Sequence, residues 1–336
     1  MSSGSARQRP AAPLAWTPRL TIENDFVAGT DRNYTQGLQF SVNTAGLDGF
    51  ADPRLADWLL HVNRTLRLLR PATPDPCTVS ARQGVFLGQQ IYTPVDWQAT
   101  AVLKEQRPYA AWLYGGVNFS VRERLRLQRV AVSIGVVGPA ALGEQAQNVV
   151  HERGGWAKFR GWDNQLSNEP TLQLLWERKR KWRQASSARG WGSDLIAHGG
   201  VSLGNVATYL NGGAELRYGW HLPDDFGSAL LRPGADNGAP RNDGNSGAQS
   251  GRRGGHLFAA VDGRWVLRDI FLDGNTFSAS HRVDKEPLVA DLALGAALEV
   301  GELALSYTQI WRTREFATQS RAQVYGSLSL SWARLF

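Results

Sequence analysis

Apolar and polar residues alternate with a period of two along most of this 336-residue chain, which is the pattern of β-strands whose two faces meet different surroundings. The alternation is clearest near the C-terminus. There Val324, Leu328 and Trp332 share one face, and small polar residues such as Ser327 and Ser329 share the other. Such a strand, closing on an aromatic residue, is typical of outer-membrane barrels, whereas the alternative is an edge strand of a soluble sandwich.

Twelve segments show this alternation, and most approach the roughly 9–11 residues that a tilted membrane-spanning strand needs. They are Leu20–Asn24, Leu38–Asn43, Val85–Tyr92, Leu113–Val121, Leu125–Val137, Thr171–Arg178, Asp194–Leu203, Tyr209–Trp220, His256–Leu267, Leu288–Val300, Glu302–Trp311 and Gln323–Phe336. An even number of antiparallel strands closes into a barrel without edges. We therefore predict an all-β fold, a transmembrane antiparallel β-barrel of about 12 strands with short helices in its loops.

Three segments depart from the alternation. Asp57–Leu69, within a helical insertion at 55–70, has apolar residues at helical spacing, and Ala140–Arg153 has the pattern of a short helix. Residues 223–254 are rich in Gly, Asn, Asp and Ser, which predicts a flexible connection. We expect residues 1–15 to be disordered and the remainder, 16–336, to form one barrel domain.

The order of the connections predicts which end of the barrel each one occupies. With a periplasmic N-terminus, the loops Asn24–Thr35, Thr93–Pro108 and Pro139–Glu169 are connections one, three and five, and all lie at the outer end. The Asp57–Leu69 helix and the Gly-rich segment lie at the periplasmic end, although such barrels usually have short periplasmic turns. The polar candidate residues discussed below therefore converge on one rim.

Composition agrees with a barrel. The chain is 42% hydrophobic and contains 13 Trp and 36 Gly but one Met, a composition that favours strands and turns. Its mean hydropathy of −0.32 does not exclude a membrane barrel, because outward and inward residues alternate. No stretch approaches the roughly 18 apolar residues of a membrane helix.

The charge of the chain and its cysteine content limit the kinds of partner and covalent link that we expect. The net charge is +7, but the basic residues are scattered apart from the run Glu177–Arg183. That run ends an alternating strand, so a solvated turn or an anionic lipid surface is favoured over nucleic acid. Cys77 is the single cysteine and allows no intrachain disulfide. The first residues lack the apolar core of a signal peptide. Because the remainder has the pattern of an exported barrel, we expect that a signal peptide is missing from this chain.

His151 is the strongest candidate for a catalytic residue. It follows Gln147 by four positions, which places both side chains on one face of the predicted helix. A histidine beside an amide suits general-base chemistry at neutral pH. The structural alternative is a surface histidine on a loop helix.

A second group of candidates lies at the end of the first strand. Asn24 and Asp25 offer oxygen ligands to a hard cation, or they form an Asx turn. Thr35 either hydrogen bonds within the site or belongs to the strand. Gly37 either admits a close backbone approach or marks the strand start. No Gly-x-Ser-x-Gly elbow and no His-Glu-x-x-His zinc motif occur in the sequence.

Four sequence blocks together resemble the LpxR family of outer-membrane lipid A 3′-O-deacylases, over roughly the first half of the chain. The first block is Asn24-Asp25 with Thr30-Asp31-Arg32-Asn33-Tyr34-Thr35-Gln36-Gly37, and the second is Gly88-Gln89-Gln90-Ile91-Tyr92-Thr93-Pro94. The third is Arg107-Pro108-Tyr109-Ala110-Ala111-Trp112-Leu113-Tyr114. The fourth is Gly138-Pro139 with Gln147-Asn148-Val149-Val150-His151, Gly161-Trp162-Asp163-Asn164-Gln165-Leu166 and Asn168-Glu169. Any one block is unspecific, whereas their order and spacing are specific.

The resemblance implies a twelve-stranded barrel and a calcium-dependent esterase that removes the 3′ acyloxyacyl group of lipid A. By motif, His151 would be the general base, Asn24 and Asp25 would hold or orient Ca²⁺ and the base, and Thr35 and Gln147 would line the site. The oxyanion would be stabilised by calcium and nearby donors.

Two further residues are assigned to the substrate or the oxyanion by the same resemblance. Gly37 is one. Lys104 is the other, although it sits later in its loop than the site lysine of some family members, and Gln106 replaces the usual Asp before Arg107. The expected partners are lipopolysaccharide and outer-membrane lipids, with no nucleic acid, and we expect a monomer in the bacterial outer membrane.

Two other functions remain open at this point. An outer-membrane phospholipase with a serine nucleophile is the first, but its His-x-Ser-Asn-Gly signature is absent, since Glu152 and Arg153 follow His151. The second is a barrel without catalysis, such as a porin. The sequence contains all of Asn24, Asp25, Thr35 and His151. Their presence argues against a degenerate family member, in which such site residues would be lost.

Overall fold

The computed structural model describes residues 15–25, 33–44, 47, 52, 55, 57–66, 79–183, 187, 190–227, 253–332 and 334–335. They form a closed antiparallel barrel of twelve strands, as the alternation predicts. The strands are β1 Ala15–Asn24, β2 Asn33–Thr44, β3 Val79–Thr93, β4 Ala110–Glu123, β5 Arg126–Val137, β6 Glu169–Arg183, β7 Trp191–Gly204, β8 Ala207–Trp220, β9 Arg253–Asp269, β10 Leu288–Val300, β11 Leu303–Arg312 and β12 Gln323–Trp332.

Each strand pairs with the next along the chain, and β12 pairs back onto β1, with Ser331 opposite Arg19 and Gly326 opposite Asn24. A short bridge at Arg334–Leu335 continues β12 along β1. The closure satisfies the backbone groups of both end strands, which would otherwise form exposed edges.

Several strands are longer than expected. The longest, β9, has 17 residues, and β3 and β6 have 15 each, because strand pairing continues past the alternating segments. The start of β9 at Arg253 also shortens the predicted connection at 223–254. Of that connection, residues 228–252 lie outside the described residues, as do residues 1–14, on which the prediction of a disordered N-terminus rests.

The helices lie in the connections. They are α1 Asp57–Leu66, α2 Gly143–Gly154 and the single turn α3 Ile270–Asp273. The predicted helix at Ala140–Arg153 is in fact a 3₁₀ turn, Pro139–Ala141, followed by α2. The two are separated by Leu142, whose left-handed backbone (φ 58°) interrupts the helix. Among the described residues, none of the helices is long and apolar enough to cross a membrane.

The two ends of the barrel differ in the connections they carry. We call the end with α2 the upper rim. It carries the odd-numbered connections, including those between β3 and β4 and between β5 and β6, as predicted. The lower rim carries α1 and the connection after β8. Residues 26–32 of the first connection lie outside the described part of the chain.

The outward face is apolar and the lumen is polar, as the sequence pattern predicts. On β12, Leu330 is 45% exposed whereas its neighbour Ser329 is 4% exposed. The same alternation exposes leucines around the wall and buries serine, threonine, glutamine and charged side chains within. This is the arrangement of a barrel whose outer surface faces lipid.

Ion pairs fill the upper half of the lumen. Arg312 donates to both carboxylate oxygens of Asp291 (2.8 and 3.0 Å) and to Glu315 (3.3 Å), which also accepts from Arg107 at 3.2 Å. Arg264 donates to Asp291 at 3.0 Å. Burial alone would raise the pKa of the Glu315 carboxyl, but Arg312 and Arg107 lower it below its ordinary value.

The lower mouth is filled by the start of the connection after β8. Phe226 is fully buried, with the Arg122 guanidinium 5.3 Å and the Lys181 Nζ 5.0 Å from its ring centre. Asp224 accepts from Lys181 at 2.7 Å and from Arg122. Residues 223–227, predicted as part of a flexible connection, are therefore a packed segment.

Candidate active site between the barrel wall and helix α2

Helix α2 packs against the outside of the barrel. The outward residues Ile91 of β3 and Ala111 of β4 are buried in one apolar cluster with Tyr109, Phe159 and Trp162, which belong to the connections at the upper rim. The loop and helix therefore cover the outer surface of β3 and β4 near the upper rim. A site formed here opens toward the surface that faces lipid.

The wall beneath α2 brings the separate sequence blocks together. Asn24 lies opposite Gln36, Gln36 opposite Ile91, and Ile91 opposite Ala111, so the four residues form one row across β1 to β4. Neighbouring strands are about 4.8 Å apart, so the row spans roughly 15 Å. The structure thus places Asn24 and the residues under α2 in one row on the outer wall.

Thr35 hydrogen bonds to Thr93, with their hydroxyl oxygens 2.7 Å apart, and both side chains are buried. The pairing of β2 with β3 shifts register between Tyr34 and Gln36. Such an irregularity leaves Thr35 out of the regular ladder and re-aims its side chain, which is a common device beside active sites.

The hydrogen bond of His151 determines which ring nitrogen carries the proton. Its Nδ1 lies 2.7 Å from the backbone oxygen of Ala157, and a carbonyl oxygen can only accept, so Nδ1 carries the hydrogen. In the neutral ring the lone pair is then on Nε2, as a general base requires. Phe159 and Trp156 lie edge-on to the imidazole, with ring centres 5.1 and 5.7 Å away, and restrict its rotation.

Gln147 is oriented in a similar way by Trp162. The indole Nε1 donates to the Gln147 Oε1 at 2.9 Å, and the glutamine is buried on the same face of α2 as His151. Because an indole N–H is a donor only, the bond identifies the oxygen of the amide. The Gln147 Nε2 is then a buried donor with no hydrogen-bond partner among the described residues.

The first block supplies oxygen donors at the end of β1. Asp25 is fully buried in the bend that follows Asn24. A buried carboxylate beside an amide is the kind of donor pair that suits Ca²⁺, which takes six to eight oxygen ligands. Within the described residues, no group of three or more His, Cys, Asp or Glu side chains is placed to share a metal ion.

Gly37 lies on the lumen side of the wall, whereas Lys104 lies in a connection at the upper rim. A Cβ on Gly37 would overlap the hydroxyl of Tyr34 and approach Glu23 at 3.4 Å, so Gly37 makes room for Tyr34 inside the lumen. The group that approaches this glycine most closely is a side chain, and its assignment to the substrate or the oxyanion stays a prediction. Lys104 is exposed in the connection between β3 and β4, and its role as an oxyanion donor stays a prediction.

The connections at the upper rim support one another. The backbone N–H of Arg160 donates to the Trp97 oxygen (2.9 Å), and Asn164 donates through its side chain to the Thr100 oxygen (2.8 Å). His281, after α3, lies 2.7 Å from the Gln106 oxygen. The segment that follows α2 is thereby fixed to the neighbouring connections, which holds the helix at a constant position.

Sequence reasoning assigned no role to Trp162, Thr93 or Phe159. The first two lie within the blocks that carry the family resemblance, where a tryptophan N–H and a threonine hydroxyl are the available donors. Phe159 lies outside the blocks and carries no polar group. Its contact with His151 follows from the path of the chain after α2.

A closed barrel with an apolar outer wall and a polar, packed lumen defines an outer-membrane β-barrel protein. A family model described as "Outer membrane protein LpxR" matches residues 2–334. The chain belongs to the LpxR family.

The match to one solved structure shows the same fold. LpxR from Salmonella typhimurium is 19% identical, with a TM-score of 0.71, and the match covers 94% of this chain and 99% of that one. The β domain of the Bordetella autotransporter BrkA is 8% identical, with a TM-score of 0.42, and the match covers 97% and 100% of the two chains. No curated protein sequence matches the chain.

Membership of the LpxR family supports the role of an outer-membrane lipid A deacylase, which is a hydrolase. It also agrees with lipopolysaccharide as the substrate and with the outer membrane as the location.

Proposed function

We propose that this protein is a lipid A 3′-O-deacylase that uses His151 as a general base and Ca²⁺ as a cofactor. The observation that carries the proposal is the position of His151. The hydrogen bond from its Nδ1 to Ala157 leaves Nε2 as the basic nitrogen. Helix α2 packs on β3 and β4, and the same wall continues through β2, which carries Thr35, to β1, which ends at Asn24.

In the proposed reaction, Nε2 of His151 accepts a proton from a water molecule as the water oxygen attacks the carbonyl carbon of the ester. The tetrahedral intermediate then expels the sugar 3′ oxygen, which takes the proton back from the imidazolium. The products are a free acyloxyacyl acid and a sugar hydroxyl. The hydrogen bond to Ala157 keeps the imidazole oriented through both proton transfers.

Gln147 is well placed to stabilise the negative oxygen of the intermediate. Its buried Nε2 is a preorganised donor on the same face of α2 as His151, and such donors are worth about 2.7–4 kcal/mol in other hydrolases. Lys104 would add a positive charge from the neighbouring connection, as the family resemblance implies.

Asn24 and Asp25 would hold the cation. When bound, calcium would supply a positive charge close to the ester carbonyl. The donor chemistry of the buried Asp25 carboxylate and the adjacent amide fits a hard, oxygen-seeking ion.

The surface around α2 suits a lipid substrate. Val149 and Val150 are exposed on the helix and Leu142 is exposed just before it, beside a wall whose leucines are also exposed. An acyl ester of an outer-leaflet lipid can approach this groove sideways from the membrane. The packed lumen, in contrast, argues against a porin, because ion pairs and aromatic side chains occupy the route that a solute would take.

The test is hydrolysis of purified lipid A in the presence of Ca²⁺, followed by mass spectrometry. We expect the parent protein to release one acyloxyacyl group, and His151→Ala to lose at least about a thousandfold in rate, the order of general-base and positioning effects. His61→Ala, which changes an exposed histidine on α1, is the matched control and should retain full activity. An active His151→Ala variant, or cleavage of glycerophospholipid in place of lipid A, would overturn the proposal.

A further inference from the structure

Three arginines form an exposed cluster on the outer wall near the lower rim. Arg178 and Arg180 are on β6 and Arg126 is on β5, and all three are exposed. The register places Arg126 directly opposite Arg180. Like charges that face each other across paired strands destabilise the sheet. This arrangement therefore indicates an anion between them.

The cluster lies at the level of the membrane interface. Exposed tryptophans surround the lower rim, as expected for the aromatic girdle of a membrane barrel; they are Trp182, Trp191, Trp220 and Trp332. Arg180 and Arg178 are two and four residues further into the wall than Trp182 along β6. With a rise of about 3.3 Å per residue, their Cα atoms lie about 7 and 13 Å along the strand from that of Trp182. The Arg180 side chain extends back to the Trp182 ring, which places its guanidinium group at the level of the girdle and of the lipid headgroups.

The tryptophans of β6 also fix the guanidinium groups. The Arg178 Cζ lies 4.9 Å from the ring centre of Trp176, and that of Arg180 lies 5.0 Å from Trp182. These contacts hold both side chains flat along the wall, with their N–H groups still available. Among the described carboxylates, none forms an ion pair with these two arginines or with Arg126.

A groove runs beside the cluster. Its volume is about 430 Å³, and it extends from Gln128 past Arg178 and Arg180 to the small residues Ala197 and Gly199 on β7.

The charges that face the groove are mostly positive. Glu123, opposite Arg126, is the acidic residue in the lining. The neighbouring Lys179 points inward, where its Nζ lies 3.5 Å from Glu177. The groove therefore offers three guanidinium groups against one carboxylate.

We propose that this groove binds the phosphodiester headgroup of an anionic phospholipid in the membrane leaflet on the lower, periplasmic side. Guanidinium groups match phosphate oxygens in charge and in geometry. The apolar wall above the groove, including Leu172 and Leu174 on β6, would contact the acyl chains. The site is on the opposite rim from α2 and does not depend on the proposed hydrolase activity.

The test is native mass spectrometry of the full chain in detergent, titrated with phosphatidylglycerol or with zwitterionic phosphatidylethanolamine. We expect one phosphatidylglycerol to bind at least fivefold more tightly than phosphatidylethanolamine. Arg180→Gln should weaken that binding about fivefold and Arg178→Gln/Arg180→Gln about twenty-five-fold, from the usual contribution of one interfacial basic residue. Arg253→Gln removes an exposed arginine at the same rim and should bind like the parent.

Equal affinity for the two lipids, or unchanged binding by the double variant, would overturn the proposal. Inorganic phosphate at millimolar concentration distinguishes a lipid from a free ion. We expect it not to displace the lipid, and displacement would show that the groove takes phosphate alone. Thermal unfolding of each variant in detergent verifies that the barrel is intact.

Discussion

At the scale of single residues, the site is defined by hydrogen bonds that leave one orientation for each polar group. The Ala157 carbonyl determines the protonated nitrogen of His151, and the Trp162 indole determines the amide orientation of Gln147. Both partners are of fixed polarity, one an acceptor only and the other a donor only. The reactive atoms, Nε2 of each side chain, therefore do not depend on an arbitrary choice of tautomer or amide flip.

Trp162→Phe tests this orientation of Gln147. The phenyl ring retains the apolar contacts with Tyr109 but removes the N–H donor, so the amide can rotate and its Nε2 no longer points in one direction. We expect kcat on lipid A to fall about tenfold, equivalent to roughly 1.4 kcal/mol, with little change in KM. Steady-state kinetics on purified lipid A would measure both constants.

Trp97→Phe is the matched control for this substitution. Trp97 belongs to the same aromatic cluster, 5.6 Å from Phe159 between ring centres, and its indole N–H donates to none of the described residues. Its replacement should leave kcat within about twofold of the parent. Equal losses in the two variants would mean that ring packing, and not the N–H of Trp162, supports catalysis.

At the scale of elements, the sequence predicts the strands well and the attachment of α2 poorly. Alternation identifies each strand because burial on one face is a property of the strand itself. The i, i+4 spacing likewise places Gln147 and His151 on one helix face. The left-handed backbone at Leu142 and the contact of α2 with Ala111 depend on the barrel wall. The wall residues that contact α2 are far from the helix along the chain. Periodicity within the segment contains no information on that contact.

Gly143→Ala tests the contact between the start of α2 and the barrel wall. An added Cβ would overlap the Cβ of Ala111 and lie 2.9 Å from Trp162, so the start of the helix must move away from the wall. Such overpacking typically costs about 1–3 kcal/mol. We expect deacylation to slow by roughly tenfold or more while the barrel stays folded. Rates on lipid A and thermal unfolding in detergent would separate the two effects.

Gln145→Ala, on the exposed face of the same helix, controls for a general change in α2 and should react like the parent. Full activity of Gly143→Ala would show that catalysis does not require the observed contact between helix and wall.

At the scale of the whole molecule, the described residues pack closely at both ends of the lumen. Charged networks fill both ends of the lumen, and the lower one is formed by residues 223–227. There Arg217 is paired with Asp194 and Asp225, while Asp224 is paired with Lys181 and Arg122. The sequence of this segment, rich in Asp and Gly, predicts flexibility because its partners lie on strands far away in the chain.

The lower network makes stability depend on pH. Burial raises the pKa of the Asp224 carboxyl, but the hydrogen bond and charge of Lys181, together with Arg122, outweigh burial and lower the pKa from 3.8 to about 2. A carboxyl whose pKa is depressed by folding stabilises the fold above its ordinary pKa and loses that contribution as pH falls through the folded value. The stabilising contribution of Asp224 is therefore complete above about pH 4 and declines toward pH 2.

Asp224→Asn removes the titrating group and keeps a side chain of the same shape. We expect its melting temperature to be lower than that of the parent at neutral pH and the difference to shrink between about pH 4 and pH 2, because the parent alone loses this ion pair. Asp225 remains in both proteins, so its own lowered pKa cancels in the comparison.

Asp163→Asn, an exposed change at the upper rim, should follow the parent at every pH. A constant difference between Asp224→Asn and the parent across this range would show that Asp224 is not held ionised by Lys181 and Arg122.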